Sequence, residues 1–304
     1  MERGVEMKEQ EIKKAVRQRY ARAAKQGGGC GCVAASPSCG GTDLAQNISK
    51  AIGYSDEELG AVPEGANLGL GCGNPVALAS LKEGEVVLDL GAGAGFDCFL
   101  AAKRVGQKGK VIGVDMTPEM IDKARENARR GGYANVEFRL GEIENLPAAD
   151  NSVDAVISNC VINLASDKRR VFSEAHRVLK PGGRLMISDL VLLKELPQAI
   201  KSSIEAYVGC ISGAMLRDGY LEAMRKAGLE GVRVVEQTSF PVELMANDET
   251  AKALMKELQL TDDTLRDLAS SVVSVKVEAV KPKGQARRAG RDNVDPSVGD
   301  VAKG

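Results

Sequence analysis

Histidine and aromatic residues are scarce in this sequence of 304 residues, which holds one His, no Trp, 5 Phe and 5 Tyr. Aromatic platforms that stack bases and aromatic belts at membrane interfaces are therefore poorly supplied. Lys and Arg together number 41 against 42 for Asp and Glu, so the net charge of -1 creates no field that would hold a polyanion. We expect neither nucleic acid nor a membrane as a partner, and a small-molecule substrate is favoured.

Long apolar runs are also missing from the sequence. No stretch reaches the roughly 20 apolar residues of a membrane-spanning helix, and residues 1–8 lack the apolar run of a signal peptide. We therefore expect the chain in the reducing cytoplasm, with its seven cysteines free. The single histidine, His176, excludes a Cys2His2 zinc site, and we interpret it as a structural residue. The thiols remain as the candidate reactive groups.

Most of the chain alternates between strand and helix patterns, which predicts an α/β fold with a parallel, doubly wound sheet. A basic helix with a solvated charged face is predicted before it, over Lys8–Lys25, and helices are predicted over Glu195–Met224. Two alternating runs, Val232–Glu236 and Val272–Glu278, are predicted to add antiparallel edge strands. The predicted strands of the core are Val86–Leu90, Lys110–Val114, Val136–Leu140, Val153–Ser158 and Arg184–Ser188, and its helices are Phe96–Val105, Pro118–Arg130 and Asp167–Leu179.

Four regions follow from this pattern. We predict an N-terminal helix with a Gly/Cys-rich loop, a cofactor-binding core, a C-terminal region with the added strands, and a disordered tail, over residues 1–67, 68–193, 194–281 and 282–304.

A glycine-rich turn follows the first predicted strand. It reads Asp89-Leu-Gly91-Ala-Gly93-Ala-Gly95-Phe96, with the glycines spaced G-x-G-x-G. A dinucleotide fingerprint would need a third glycine where Phe96 stands. Asp115 ends the second predicted strand, at the distance along the chain where a carboxylate binds ribose hydroxyls. The glycine turn and Asp115 together predict a nucleoside cofactor.

This combination resembles the S-adenosylmethionine-dependent methyltransferases of the Rossmann-like class over roughly residues 68–190. The resemblance implies S-adenosylmethionine as the cofactor. It places Asp89 and the three glycines at the methionine end and Asp115 on the ribose. It also places Met116, Glu142 and Ile143 around the adenine.

Cys160 stands just beyond the fourth strand of the predicted sheet. In the usual strand order 3-2-1-4-5, a crevice opens at the carboxyl ends of strands 1 and 4. Cys160 is therefore predicted to face the cofactor loop. Asn159, beside it, is a further candidate for cofactor binding.

Three cysteines lie in distinctive motifs, which are Leu68-Gly-Leu-Gly-Cys-Gly-Asn-Pro75, Ile157-Ser-Asn-Cys-Val-Ile-Asn-Leu164 and Tyr207-Val-Gly-Cys-Ile-Ser-Gly-Ala214. These motifs closely resemble those of the arsenite methyltransferases. The resemblance implies that Cys72, Cys160 and Cys210 bind trivalent arsenic and are the catalytic residues. It also implies arsenic detoxification, with arsenite or its glutathione conjugate as substrate and glutathione or thioredoxin as reductant.

The amino-acid composition favours the same chemistry. A soft trivalent centre prefers thiolates to imidazole or carboxylate. The lone pair of such a centre can attack a methyl group directly, so no general base is needed. Cys98 lies among apolar residues of a predicted helix and is assigned to packing. Cys30, Cys32 and Cys39 lie in the Gly/Cys-rich loop, where Cys39 is the candidate accessory thiol.

Two other functions remain open from the sequence. A methyltransferase of another small molecule, such as a quinone, would leave Cys72, Cys160 and Cys210 without a role. A thiol-rich protein that sequesters metal would instead leave Asp89 and Asp115 without a role.

Overall fold

The computed structural model describes residues 2–26, 41–196, 210, 213–239 and 270–283. Within these residues the chain forms a seven-stranded sheet in the order β3-β2-β1-β4-β5-β7-β6. The first five strands are parallel, and β7 pairs antiparallel with both β5 and β6. The strands are β1 (Val86–Leu90), β2 (Lys110–Asp115), β3 (Val136–Leu140), β4 (Val153–Asn159), β5 (Leu179–Leu192), β6 (Glu230–Ser239) and β7 (Val272–Val280).

Helices cover the sheet and precede it. An N-terminal helix, α1, packs against α6 beside the carboxyl ends of the parallel strands. Short helices lead from α1 to the first strand, and a 3-10 turn, Ile162–Leu164, follows β4. The helices are α1 (Glu2–Gln26), α2 (Gly41–Ala51), α3 (Asp56–Gly60), α4 (Pro75–Leu78), α5 (Phe96–Val105), α6 (Pro118–Gly131), α7 (Lys168–Val178) and α8 (Arg217–Lys226).

The core has one layer on each face of the sheet. Phe172 of α7 packs edge-on against Tyr220 of α8, and both side chains are fully buried. On the other face, Phe99 of α5 contacts Phe138 of β3 and Tyr133. Aromatic pairs of this geometry add to the stabilisation that apolar burial gives. The two layers hold the ends of β1 and β4 in fixed positions.

The predicted α/β class, the strand order 3-2-1-4-5 and the two antiparallel added strands are confirmed. One local prediction is wrong. The sequence Lys180-Pro-Gly-Gly183 predicts a turn, but these residues belong to the long strand β5. The pairing of β4 with β5 shifts register there, and Gly182 takes a positive φ of 81°, so the extra residues form an irregularity within the strand.

The N-terminal helix is also different from its prediction. It extends from Glu2, and its basic face is not simply solvated. Lys13 forms ion pairs with Glu142 at 2.9 Å and Glu144 at 3.4 Å. Val16, one turn further, is 1% exposed. The helix therefore docks on the body of the protein through both charged and apolar contacts.

Several predictions lie outside the described residues. These are most of the Gly/Cys-rich loop with Cys30, Cys32 and Cys39, the predicted helices over residues 197–209, and residues 284–304 of the predicted tail. The division into four regions stays a prediction. Among the described residues, no helix is long and apolar enough to cross a bilayer.

Candidate active site

A cleft opens at the carboxyl ends of β1 and β4, and helix α1 covers one side of it. Seven of the residues that sequence analysis assigned to the cofactor line this cleft together with Cys160, whereas Glu142 and Gly95 do not. The lining residues among the predicted set are Asp89, Gly91, Gly93, Asp115, Met116, Ile143, Asn159 and Cys160.

The three glycines of the turn have different roles. All three take positive φ angles, which L side chains rarely adopt. A Cβ on Gly93 would meet nothing within 4 Å, so its free side faces the open cleft. A Cβ on Gly95 would lie 2.7 Å from Phe99 and 2.8 Å from Phe138, so this glycine serves close packing of α5. A Cβ on Gly91 would collide with the side chain of Val161, so this glycine also allows close packing.

Asp115 is fixed at the end of β2. Its Oδ2 accepts a hydrogen bond from the Gly93 amide at 3.0 Å, and its Oδ1 accepts one from the Thr117 amide at 2.8 Å. Each carboxylate oxygen keeps a further lone pair that can accept from a ligand hydroxyl. Burial raises the pKa of Asp115 above its usual value.

Two more buried carboxyls, Asp89 and Asp97, line the cleft. Burial and the nearby charge of Asp97 raise the pKa of Asp89 well above its usual value. Burial raises the pKa of Asp97 to about 6. Since both shifts express the cost of burying negative charge, a cationic ligand would lower that cost. The site therefore fits a ligand with sulfonium and ammonium groups.

Cys98 is fully buried, as its predicted packing role requires. Its thiol also donates a hydrogen bond to Oδ2 of Asp89 at 3.2 Å. Cys98 therefore has two roles, since it packs α5 in the core and donates a hydrogen bond to a carboxylate of the cleft.

Glu142 lies at the edge of the cleft and not in its lining. Its carboxylate is held by Lys13 at 2.9 Å and by Arg17 at 2.6 Å, both from α1. The neighbouring residues Ile143 and Glu144 line the cleft instead. The sequence did not reveal this arrangement because the pairing partner is more than 120 residues away.

Three cysteines converge beside the cleft. Ligand atoms of Cys72, Cys160 and Asp189 all lie within 4.8 Å of one another. The Cys210 thiol donates to the carbonyl oxygen of Cys160 at 3.3 Å, and the Cys72 thiol donates to that of Ser188 at 3.5 Å. All three cysteines are free and buried. The first and the last of these cysteines, Cys72 and Cys210, lie 138 positions apart in the sequence, and the fold brings both next to Cys160.

The backbone at two of these cysteines is unusual. Cys160 has a φ of 57° and Cys210 a φ of 66°, a region that few residues other than glycine occupy. The Cys160 amide donates to the Ser188 carbonyl at 2.8 Å and holds this conformation. Such strain is concentrated at functional sites, where it orients a side chain.

The thiols are held in their protonated form. Burial raises the pKa of Cys72. The hydrogen bond with Cys160 and burial raise the pKa of Cys210 well above its usual value. For Cys160 the hydrogen bond from Cys210 lowers the pKa, but the bond to Cys72 and burial outweigh it and leave the pKa well raised. A ligand that replaces these protons removes the cost of forming buried thiolates.

Sequence reasoning missed several polar residues of the site, and four of them bear directly on its chemistry. Tyr20 of α1 forms a hydrogen bond with Cys210. Tyr54 and Asp97 line the cleft, and Asp189 adjoins two of the thiols. Asp97 could have been found, because it lies in the first turn of the helix that follows the glycine turn. The two tyrosines and Asp189 reach the site only through tertiary packing.

The strand order, the G-x-G-x-G turn and the acid at the end of β2 define an S-adenosylmethionine-dependent methyltransferase of the Rossmann-like class. A methyltransferase-domain family profile matches residues 81–255. The arsenite methyltransferase of Halobacterium salinarum is 45% identical over 279 residues, which cover 90% of this chain and 67% of that protein. The chain belongs to the arsenite methyltransferase family.

Two further comparisons agree with this assignment. The arsenite methyltransferase of Aquipseudomonas alcaligenes is 42% identical over 173 residues, covering 55% of this chain and 49% of that protein. The crystal structure of CrArsM, an arsenic(III) S-adenosylmethionine methyltransferase from Chlamydomonas reinhardtii, superposes with a TM-score of 0.57 at 35% identity. That match covers 79% of this chain and 74% of CrArsM. The alignments thus span from 49% to 74% of these relatives. The predicted enzyme class and cofactor are confirmed.

Proposed function

We propose that this chain methylates trivalent arsenic held by the thiolates of Cys72, Cys160 and Cys210, as a step of arsenic detoxification. The observation that carries the proposal is the meeting of three buried, free thiols at the edge of the cofactor cleft. Cys160 belongs to both places, since it lines the cleft and lies in the thiol cluster. A bound arsenic atom would therefore adjoin the cofactor.

Capture of arsenite by the cluster balances without a base. Each thiol proton leaves with one hydroxide of As(OH)3 as water, so three thiols yield one As(SR)3 group and three water molecules. The raised thiol pKa values keep the protons available for this exchange. Thiolates are the preferred ligands of a soft trivalent centre.

The cofactor residues have separate tasks in the proposal. Asp115 would accept hydrogen bonds from the ribose, while Met116 and Ile143 would pack on the adenine. Asp89 and Asp97 would face the cationic methionine end across the open side of Gly93. When bound, S-adenosylmethionine supplies an electrophilic methyl group.

The protein's share of the transfer is alignment and exclusion of water. Three thiolates leave the arsenic a lone pair, so no proton must be removed during methyl transfer. The cleft lining contains no histidine among the described residues, which is consistent with a reaction that needs no general base. Val16 and Tyr20 of α1 cover the cluster from solvent.

Each methylation oxidises arsenic by two electrons, which a pair of thiols can return by forming a disulfide. We propose glutathione or thioredoxin as the external reductant, Cys39 as an accessory thiol, and the reducing cytoplasm as the location. Arsenite or its glutathione conjugate would be the substrate.

The test is incubation of the purified protein with S-adenosylmethionine, arsenite and a reducing thiol, followed by chromatographic quantification of methylated arsenic. We expect methylated species from the parent and at least a hundredfold fewer from Cys160→Ser. Cys98→Ser is the matched control, because it converts a buried thiol outside the cluster and keeps the donor to Asp89. It is expected to bind arsenite with the parental stoichiometry.

Two outcomes would contradict the proposal. Methylation of a quinone, with no arsenic product, would support the rival methyltransferase. Arsenite binding by a protein that does not bind S-adenosylmethionine would support the sequestering protein instead.

A further inference from the structure

The side chain of Asn159 connects the thiol cluster to the cofactor cleft. Asn159 is the last residue of β4 and precedes Cys160 directly. Its Oδ1 accepts a hydrogen bond from the backbone amide of Cys72 at 3.0 Å. Its Nδ2 donates to the carbonyl oxygen of Gly73 at 2.8 Å. One amide group therefore sets the position of the Cys72 loop relative to the strand end that carries Cys160.

The Cys72 loop is packed tightly against this amide. A Cβ on Gly71 would lie 2.6 Å from Nδ2 of Asn159 and 3.0 Å from its Oδ1, so only glycine allows the observed approach. On the other side, Ser274 of β7 donates to the carbonyl oxygen of Cys72 at 2.8 Å. The loop is thus held between Asn159 and the added strand, and movement of Asn159 would move the Cys72 thiol.

The same amide also contacts the cleft side. Its Nδ2 lies 3.0 Å from Oδ2 of Asp97 and 2.9 Å from the hydroxyl of Tyr54. The Tyr54 hydroxyl in turn donates to Oδ1 of Asp97 at 2.6 Å. Asn159, Tyr54 and Asp97 all line the cleft, and Tyr54 and Asp97 are buried. A ligand group that contacts Asp97 therefore restrains the amide that holds Cys72.

We propose that Asn159 is a positioning residue that couples the two substrate sites, so that cofactor in the cleft and arsenite on the thiols each strengthen binding of the other. The inference rests on the proposed function for the identity of the thiol ligand. Its physical basis is that the Asn159 amide contacts the Cys72 loop on the thiol side and Asp97 and Tyr54 on the cleft side. A ligand that fixes either side therefore favours the arrangement to which the other ligand binds. Thermodynamic linkage makes the effect reciprocal.

The test measures binding and not turnover. Arsenite is titrated calorimetrically into the reduced parent protein, with and without saturating S-adenosylhomocysteine, which has no methyl group to transfer. We expect an arsenite Kd about fivefold or more lower in the presence of S-adenosylhomocysteine, within the range of typical couplings. The Cys72→Ser variant gives the background from other thiols.

The coupling ratio is the arsenite Kd without S-adenosylhomocysteine divided by the Kd with it. In Asn159→Leu this ratio is expected to fall to about 1, because the contacts of Asn159 with the Cys72 loop and with Asp97 are both lost. Tyr54→Phe removes only one hydroxyl of the network and is expected to reduce the ratio while leaving the fold intact. The matched control is Asn127→Leu, since the Asn127 amide donates to the Ala94 carbonyl at 3.0 Å in the glycine turn and does not touch the Cys72 loop. It should keep the parental ratio.

Three results separate this inference from the proposed function. If the parent protein binds arsenite with the same Kd with and without S-adenosylhomocysteine, the coupling is overturned while the proposed function is not. If Asn159→Leu and Tyr54→Phe both keep the ratio of the parent protein, the hydrogen bonds of Asn159, Tyr54 and Asp97 do not carry the coupling. A parent that binds S-adenosylhomocysteine but no arsenite would overturn the proposed function, and the coupling with it.

Discussion

Replacement of Lys13 by Met tests how firmly α1 closes the active site. The Lys13 ammonium lies 2.9 Å from Glu142, 3.4 Å from Glu144 and 3.3 Å from Glu9, and its side chain is only 18% exposed. Exposed ion pairs contribute little, but here the loss leaves Glu144, whose side chain is 11% exposed, without this cation. We expect α1 docking to weaken by about 1–2 kcal/mol, which corresponds to a roughly 5- to 30-fold rise in the undocked population.

The assay is alkylation of the folded protein with iodoacetamide, read for each cysteine peptide by mass spectrometry. Val16 and Tyr20 of α1 pack in one cluster with Cys160 and Cys210, so the labelling rates of these two thiols should rise with the undocked population. Cys98, buried between α5 and the sheet, is the internal reference and should not change. Lys14→Met on the exposed face of the same helix is the matched charge control.

Two results would refute this reasoning. If Cys160 and Cys210 label at the parental rate in Lys13→Met, the ion pairs do not hold the helix. If Cys98 labels faster by the same factor, the substitution destabilises the whole protein and not α1 alone.

Three further predictions concern the cleft and the core. Gly93→Ala should lower stability by only about 1–2 kcal/mol, the cost of a left-handed alanine, yet weaken S-adenosylhomocysteine binding at least tenfold in calorimetry, because its Cβ enters the open cleft. Asp97 has a folded pKa of about 6 against a usual 3.8, so the folded state holds the extra proton and stability should fall as pH rises between these values, by at most about 1.4 kcal/mol per pH unit for this group. In urea titrations Asp97→Asn should show a shallower slope than the parent, and the remaining slope comes from buried carboxyls such as Asp89 and Asp115, whose pKa values are also raised. An unchanged slope would contradict the assignment. Tyr220→Phe removes the hydroxyl that donates to Asp189 at 3.1 Å and should cost about 1–3 kcal/mol in urea unfolding, whereas an unchanged midpoint would show that this bond is not needed.

Local sequence patterns predicted much of the fold. β1 and α5 have the predicted bounds because glycines interrupt the chain on both sides of the turn between them. Lys180-Pro-Gly-Gly183 misled the prediction, because these residues lie between the paired positions Leu179 and Arg184 of β5. Backbone hydrogen bonds of Gly182 and Gly183 with Lys281 keep them as part of the strand. The short helices α3 and α4, of five and four residues, are too brief to show a helical period.

The candidate site was predictable where a residue follows a strand directly. Asp115 and Cys160 could be placed from the order of the strands alone, because parallel strands bring their carboxyl ends to one edge. Tyr20 could not be placed, since nothing local indicates that α1 folds back over the cleft. The family resemblance supplied Cys72 and Cys210, whose distance from Cys160 along the chain carries no signal of contact.

The position of β7 determines when the thiol site can form. β7 is the last of the seven strands along the chain, yet it stands between β5 and β6. Its Ser274 holds the carbonyl of Cys72, 202 residues earlier. During synthesis on the ribosome, Cys72 therefore emerges long before the strand that holds its carbonyl oxygen. In a nascent chain the Cys72 loop can make its contacts with Asn159 but not the one with Ser274, and it is held from both sides only when the final strand inserts into the sheet.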